Sequence, residues 1–447
     1  MSRDLPLRWA EALLPDVAHL NMGQSPPSKT YNKKGQGLPF FQGKTEFGEI
    51  YPRPAKYCSM PSKVAAAGDI LISVRAPVGP TNLCQEKSCI GRGLAAIRPL
   101  GEIPSLYLLY YLRSIEDWLS RQGTGSTFTA ISKTDLEQLT IQLAPLGEQQ
   151  RIVKKLEILL GKVDACQKRL TKIPVILKRF RQSVLAAACS GRLTADWRKD
   201  NGDGELPVGW QWMSLEGLLP PGGIFDGPFG SNLKTSDYTD SGVRVVRLEN
   251  VGHLRFIIEK ETYISRKKYT TLKKHTVQEG DIIFASFIDD EIRACLLPKL
   301  ETSAIAKADC FCLRPRTDLV DRQFLTYQLV SKESYNQLIE DVHGATRPRI
   351  NTTELRKLEV RICPIPEQQE IVRRVEALFA LADQIEARYT KAKAHVDKLI
   401  QSILAKAFRG DLVPQDPHDE PATVLLARIK ESKNKPPVKP RKKRHEK

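Results

Sequence analysis

The 447-residue chain is 41% hydrophobic, enough to build the cores of about three domains. No run of 18 apolar residues occurs, which excludes a membrane-crossing helix, and the charged, apolar and small-residue order of a signal peptide is missing at the start. Its 69 Lys and Arg outweigh 52 Asp and Glu, a net charge of +17.

The stretch from Lys430 onward holds nine cations and two acids, so +7 lies there and +10 in the rest. Such an excess suits a polyanion partner, although solubility alone is the plainer reading. The basic, Pro-rich tail is expected to be disordered. Nine cysteines are scattered without metal-ligand spacing, which reads as reduced thiols in the cytoplasm.

In chain order, Leu5, Pro6 and Trp9 open a first block. Residues 68–74 (GDILISV) and 94–99 (LAAIRP) predict buried strands, the latter stopped by proline. Residues 105–119 (SLYLLYYLRSIEDWL) predict one amphipathic helix, followed by a polar, Gly-bearing loop, 121–131 (RQGTGSTFTAI).

From Pro145 apolar residues then fall at Ile152, Leu156, Leu159, Val163, Cys166, Leu170, Ile173, Leu177, Phe180 and Val184. Steps of four and three without a break are the mark of a coiled-coil seam. About thirty residues of it make a rod of roughly 50 Å. Pro174 should kink or divide that helix. Gly191 falls where a helix C-cap is expected.

The chain then repeats itself. Leu206, Pro207 and Trp210 reopen a block 201 residues on. Residues 280–287 (GDIIFASF) and 310–315 (CFCLRP) predict strands, with Cys310 and Cys312 as core. Residues 322–338 (RQFLTYQLVSKESYNQL) predict a helix, and 340–350 (EDVHGATRPRI) a polar loop. From Pro364 the helical block returns at a fixed offset of 219, with about nineteen of its 49 positions identical, including Glu148/Glu367 and Gln149/Gln368. Its seam is Ile371, Val375, Leu378, Ala382, Ile385, Tyr389, Ala392, Val396, Leu399 and Ile403, ending near Gly410. The simplest pairing sets the two seams antiparallel against each other, with the variable blocks at opposite ends. The alternative is that each helix buries its stripe in its own domain.

Catalytic motifs are absent or incomplete. FDGPFG at Phe225 resembles a methyltransferase loop for S-adenosylmethionine, but no clear strand precedes it and no clear helix follows. GKT at Gly43 lacks the glycine spacing and the helix of a phosphate-binding loop. Asp69 with Gln85 and Lys87 could pose as a nuclease set, but the second copy has Asp281 with Leu297 and Lys299, so a structural turn explains both better. The seven histidines suggest no triad.

What remains is binding. Arg347 and Arg349 stand in the second loop where the first has Phe128 and Ala130, and arginine is the usual partner of guanine N7 and O6. The first loop offers Arg121, Gln122, Thr124, Ser126 and Thr127; the second adds His343 and Thr346. Gln24, Ser25, Lys33, Lys34 and Arg75 in the first block, and Ser231 and Lys234 in the second, are further candidates for DNA contact. Such residues serve phosphates as readily as bases, so the contact class stays open.

The twice-used LP…W start, the G(S/A)T…I…L approach, the P…EQQ…IV helix start and the S(V/I)L…G.L helix end resemble the specificity (S) subunit of type I restriction–modification systems over nearly the whole chain. The resemblance implies an α+β fold: two related mixed α/β target recognition domains joined by two long helices that form an antiparallel coiled-coil spacer, with pseudo-twofold symmetry. The expected division is 1–143 and 206–362 as recognition domains and 144–193 and 363–412 as spacers. Residues 194–205 form a linker and 413–447 a C-terminal segment with the tail. It implies no catalysis and no cofactor in this chain. The partners implied are double-stranded DNA, two modification subunits that methylate adenine with S-adenosylmethionine, and restriction subunits using ATP and magnesium. The target would be bipartite and asymmetric. A coiled-coil scaffold with protein-binding ends is the alternative from another class, and an enzyme with an unrecognised site a third.

Overall fold

The computed structural model describes residues 5–122, 130–201, 209–340 and 349–434. The chain divides into two compact units, Met1–Leu170 with Lys391–Lys447, and Thr171–Thr390.

The first unit holds a four-stranded antiparallel sheet in the order Ala18–Met22, Leu94–Pro99, Ile70–Ser73, Thr81–Leu83. A second sheet has five short strands, Tyr31–Asn32, Lys56–Cys58, Leu38–Phe41, Ser88–Ile90 and Val64–Ala65, with one parallel pair, Leu38–Phe41 on Ser88–Ile90. Ala10–Leu13 pairs with Thr140–Leu143, so the start of the module is tied to its end.

The second unit repeats every one of these relations. Its four strands run Ile224–Phe225, Cys310–Leu313, Ile282–Ala285, Ala294–Leu296. Its five run Tyr238–Thr239, Tyr263–Ile264, Val243–Val246, Ala304–Ala306, Thr276–Val277, and the parallel pair is Val243–Val246 on Ala304–Ala306. Gln211–Ser214 pairs with Glu359–Ile362. Two blocks with little common sequence therefore share one topology.

Both GDI turns are built the same way. Asp69 is buried and its carboxylate takes a two-pronged bond from Arg98, at 2.7 and 2.9 Å, and the Ala66 N–H at 2.7 Å. Asp281 takes Arg314 at 2.9 and 2.7 Å and the Gln278 N–H at 2.8 Å. The bond to Asp69 raises the Arg98 pKa. Gln85 and Lys87 are exposed, away from that buried pair, so the nuclease arrangement is not assembled. The CFC strand is fully buried, and all nine thiols are free.

Each predicted amphipathic helix is in fact two. Ser105–Ser114 is followed by Glu116–Gln122, and Arg322–Leu329 by Lys332–Glu340. The reason is a serine at each break. The Ser114 hydroxyl donates back to the Tyr111 carbonyl at 2.6 Å, and Ser331 Oγ accepts from the Ser334 N–H at 3.2 Å, opening a new helix.

The repeated LP…W and EQQ motifs meet. In the first unit Trp9 Nε1 donates to Glu148 at 3.0 Å, and Gln149 Nε2 to the Ala144 carbonyl at 2.8 Å. In the second Trp210 Nε1 donates to Glu367 at 3.0 Å, and Gln368 Nε2 to the Cys363 carbonyl at 2.7 Å. This latch sets the direction in which each long helix leaves its module. Glu367 also takes the Thr194 hydroxyl at 2.7 Å and an ion pair from Arg198, both buried. Among the described residues no cation is ion-paired with Glu148, and burial raises its carboxyl above the ordinary range.

The first long helix divides, as Pro174 requires, into Leu146–Leu170 and Ile173–Cys189, with the proline in the first turn of the second piece. The second long helix is continuous, Ile365–Ala407. Within the first unit Gln167 Nε2 reaches Asp397 at 3.4 Å; within the second, Arg181 reaches Asp383 at 2.6 Å and Glu386 at 2.7 Å. In each unit the two helices run antiparallel. Gly191 and Gly410 follow the helix ends with φ of 75° and 79°, the left-handed cap a side chain would oppose.

Both readings of the seam hold, in different places. Ile152 and Leu156 are buried in the first module's core, and Ile371 and Val375 in the second's. Val163 and Leu177 are buried, while Leu159, Leu170, Leu378, Val396 and Leu399 are half-buried. Ile385 corrects the expectation: it is 40% exposed, beside an apolar hollow of about 260 Å³ lined by Ile173, Ile176, Leu177, Phe180 and Leu381. The break at Pro174 interrupts the ridge that would have covered it. Cys166 is exposed as well. At the C-terminal end, Ala422–Asn434 is a helix whose Ala422, Leu425 and Ile429 enter the first core. Lys430 to Asn434 therefore belong to a docked helix, not to the tail; residues 435–447 lie outside the described residues.

Candidate nucleic-acid interface

In each module three backbone segments meet where the polar loop returns to the sheet. In the first, the Val74 N–H donates to the Gly93 carbonyl at 2.9 Å, and the Val74 carbonyl accepts from Ile131 at 3.0 Å. In the second, Ser286 donates to Asp309 at 2.9 Å and accepts from Ile350 at 3.0 Å. One residue further, a single antiparallel bridge pairs Arg75 with Ala130 and, in the second module, Phe287 with Arg349.

Arg349 is held on several sides. Its guanidinium is ion-paired with Asp309. Its carbon lies 5.6 Å from the Phe287 ring centre and 5.8 Å from that of Phe229. The side chain is still 45% exposed. Phe229 is brought there by Gly227, which packs on the backbone before Asp309 so tightly that a Cβ would stand 2.0 Å from the Lys307 carbonyl carbon. That close approach explains the FDGPFG glycine. Only the two-residue strand Ile224–Phe225 runs into the motif, and a three-residue turn, Gly230–Asn232, begins at its last glycine, so no helix offers a cofactor cradle. GKT is also a short turn: the Glu46 carboxylate accepts the Gly43 N–H at 3.1 Å, where a phosphate would need the donor free.

The other expected residues are spread over each module's surface. Ser231 and Lys234 share the exposed segment that follows Phe229. Gln24 is exposed, and Ser25 Oγ accepts the Arg92 N–H at 3.2 Å. Lys33 and Lys34 sit on a separate exposed turn, with the Lys34 N–H on Asn32 at 3.0 Å. Arg121 and Gln122 end the Glu116–Gln122 helix and are exposed. Thr124, Ser126, Thr127, His343, Thr346 and Arg347 lie outside the described residues. Asp309, Phe229 and Phe287 were not anticipated around Arg349, because they lie 40, 120 and 62 residues before it and nothing next to it in the sequence points to them. Among the described residues no group of His, Cys, Asp or Glu could hold a metal, and no helix is long and apolar enough to cross a membrane.

A duplicated sheet module, each copy latched to a long helix and each presenting a different side-chain set on one backbone frame, defines a two-module recognition protein. Residues 6–175 and 227–393 match the family model for the type I restriction modification DNA specificity domain, and the chain belongs to that family. It is 30% identical to the EcoDI type I restriction enzyme specificity subunit of Escherichia coli, over 95% of both chains. It is 32% identical to the StySPI specificity subunit of Salmonella potsdam, over 76% of this chain and 74% of that one. A putative specificity subunit of Methanocaldococcus jannaschii, MjaX, is 46% identical over 41% of this chain and 44% of its own length. The fold matches the crystal structure of the HsdS subunit from Thermoanaerobacter tengcongensis, with a TM-score of 0.57, 20% identity and coverage of 92% and 98%. A chain from a study of type I system assembly and conformational transition gives 0.70 at 20% identity, covering 92% and 100%. The protein is thus a DNA-recognising specificity subunit by family, in general a non-catalytic role.

Proposed function

We propose that this chain reads a bipartite, asymmetric target in duplex DNA and directs adenine methylation there by two modification subunits. Restriction subunits acting with ATP and magnesium complete the assembly, and S-adenosylmethionine belongs to the modification subunits. Residues 1–143 and 206–362 act as target recognition domains, 144–193 and 363–412 as spacers, 194–205 as a linker and 413–447 as the C-terminal segment. The observation that carries this reading is one sheet order used twice with different residues at the loop frame. One frame with two side-chain sets is what two unlike half-sites require. Gln24, Ser25, Lys33, Lys34, Arg75, Arg121, Gln122, Ser231, Lys234 and Arg349 are the described candidates for DNA contact, and the +17 charge supports them. Thr124, Ser126, Thr127, His343, Thr346 and Arg347 extend that set. Free thiols throughout suit the cytoplasm.

The test is methylation of a randomised duplex library by the purified chain with its modification subunit. Adenine methylation at one split motif is the expected result, with none from the chain alone. Methylation without sequence preference, or turnover by the chain alone, would overturn the reading. A protein-binding scaffold would enrich no DNA sequence.

A further inference from the structure

The bridge at the loop frame carries one arginine in each module, but from opposite strands. In the first module Arg75 stands on the strand side and Ala130 on the loop side. In the second Phe287 takes the strand side and Arg349 the loop side. The surrounding hydrogen bonds superimpose: Val74 and Ser286 donate to Gly93 and Asp309 and accept from Ile131 and Ile350. The same place on the fold has kept its cation while exchanging the strand that supplies it.

We propose that this bridge is a guanine-reading position in both modules, served by Arg75 for the first half-site and by Arg349 for the second. The assignment rests on the DNA-reading function above and says which residues read which base. Asp309 occupies part of the Arg349 donor fork, and two aromatic rings lie within 6 Å of its guanidinium carbon, at 5.8 and 5.6 Å. The side chain is 45% exposed, and the remaining N–H groups of a planar guanidinium fit the N7 and O6 acceptors of guanine. A phosphate contact would not be built this way. Asp309 cancels much of the attraction to a phosphate and would itself repel one, whereas it orients the fork for a base edge.

Arg75 is exposed and has no ion-pair partner among the described residues. The position of Asp309 is filled there by Gly93, where a Cβ would lie 2.3 Å from the Gln42 carbonyl oxygen. The first module therefore cannot carry the same buttress, and Arg75 should discriminate less sharply than Arg349. Partners across an antiparallel bridge have Cα atoms about 5 Å apart, against about 3.4 Å per base pair. The guanine read should thus fall at equivalent places in the two half-sites, or one to two base pairs displaced.

The experiment is selection from duplexes randomised in both half-sites, using the full chain with its modification subunit. Wild type should select a split motif with a G·C pair in each half. Arg349→Ala should relax that pair in the second half-site alone, by about 10- to 100-fold, and Arg75→Ala should do less in the first. Arg349→Lys keeps the charge and should keep overall affinity while losing most of the guanine preference. The double variant Phe287→Arg, Arg349→Ala should recover a guanine at the same or a neighbouring base pair. A melting profile like wild type certifies the fold of each variant, and Arg349→Lys carries the test if Arg349→Ala does not fold. A wild-type motif lacking guanine in the second half-site overturns the assignment. So does a motif unchanged by Arg349→Lys and by Arg75→Ala, with the alanine variant only binding uniformly more weakly at a salt slope lower by about one. A wild-type complex that selects no sequence at all defeats the functional reading instead.

Discussion

Glu367 and Glu148 are the same residue of the repeat, yet their removal should cost different amounts. Glu367→Ala removes one side of the buried ion pair with Arg198, which is 1% exposed and stays buried beside the Gly191 carbonyl. Removing one side of a buried ion pair costs about 3–5 kcal/mol. Among the described residues Glu148→Ala leaves only the neutral Trp9 indole N–H unmet, about 1–3 kcal/mol. The same change also deletes a carboxylate whose Oε1 has no hydrogen-bond partner among the described residues, so the lower end applies. Hydrogen exchange of the full chain, read on peptides covering 365–375 and 146–156, separates the two sites. In the first peptide Glu367→Ala should raise the opening equilibrium by roughly a hundred- to several-thousand-fold. In the second, Glu148→Ala should raise it by about tenfold or less. Pairing Glu367→Leu with Arg198→Met should restore part of the loss, because two apolar groups replace both charges while the Trp210 indole N–H stays unmet. Equal effects at the two glutamates, or a double variant no better than Glu367→Ala, would refute the reasoning.

Other perturbations test the same structure at different points. Because burial raises the Glu148 pKa, the folded state binds that proton more tightly than the unfolded chain, whose carboxyl titrates near 4.5. Stability of the first unit should therefore fall as pH rises above about 4.5. Glu148→Gln should gain on wild type in melting temperature between pH 4.5 and 7.5, and a gap that shrinks would contradict the sign. Leu156→Ala, fully buried in the first core, should cost about 2–5 kcal/mol. Ile385→Ala, at 40% exposure, should cost about 1 kcal/mol or less; chemical denaturation that ranks them the other way would mean the seam is packed more tightly than described.

The repeated frame was legible because it is written twice. Pro174, Gly191 and Gly410 act locally, through a ring or a positive φ, and the divided helix and the two caps stand where these residues place them. The GDI turn was also readable from its duplication, although its arginine partner, 29 residues on, was not. The Trp–Glu latch joins residues 139 and 157 positions apart in the two units, and neither spacing nor periodicity carries such a contact. Heptad counting placed Ile385 in the seam because it records a stripe and not what faces it. The helix breaks at Ser114 and Ser331 depend on hydroxyl bonds that an apolar periodicity runs straight through. In the interface, Arg349 was visible as a loop cation, but Asp309 and Phe229 reach it only through the fold.

The ribbon that pairs Ala10–Leu13 with Thr140–Leu143, and Gln211–Ser214 with Glu359–Ile362, closes each module on itself. Everything between is a loop whose two ends are already fastened. The second copy carries 18 more residues inside that closure than the first, since the offset grows from 201 at Trp9 to 219 at Thr140. Lengthening a closed loop of this size by that much costs only about 0.1 kcal/mol in chain entropy. Insertions are thus nearly free to accumulate behind the clasp, and none of them moves the point from which the long helix departs. A lineage can rewrite what a module touches, in length as well as in sequence, while inheriting its attachment unchanged.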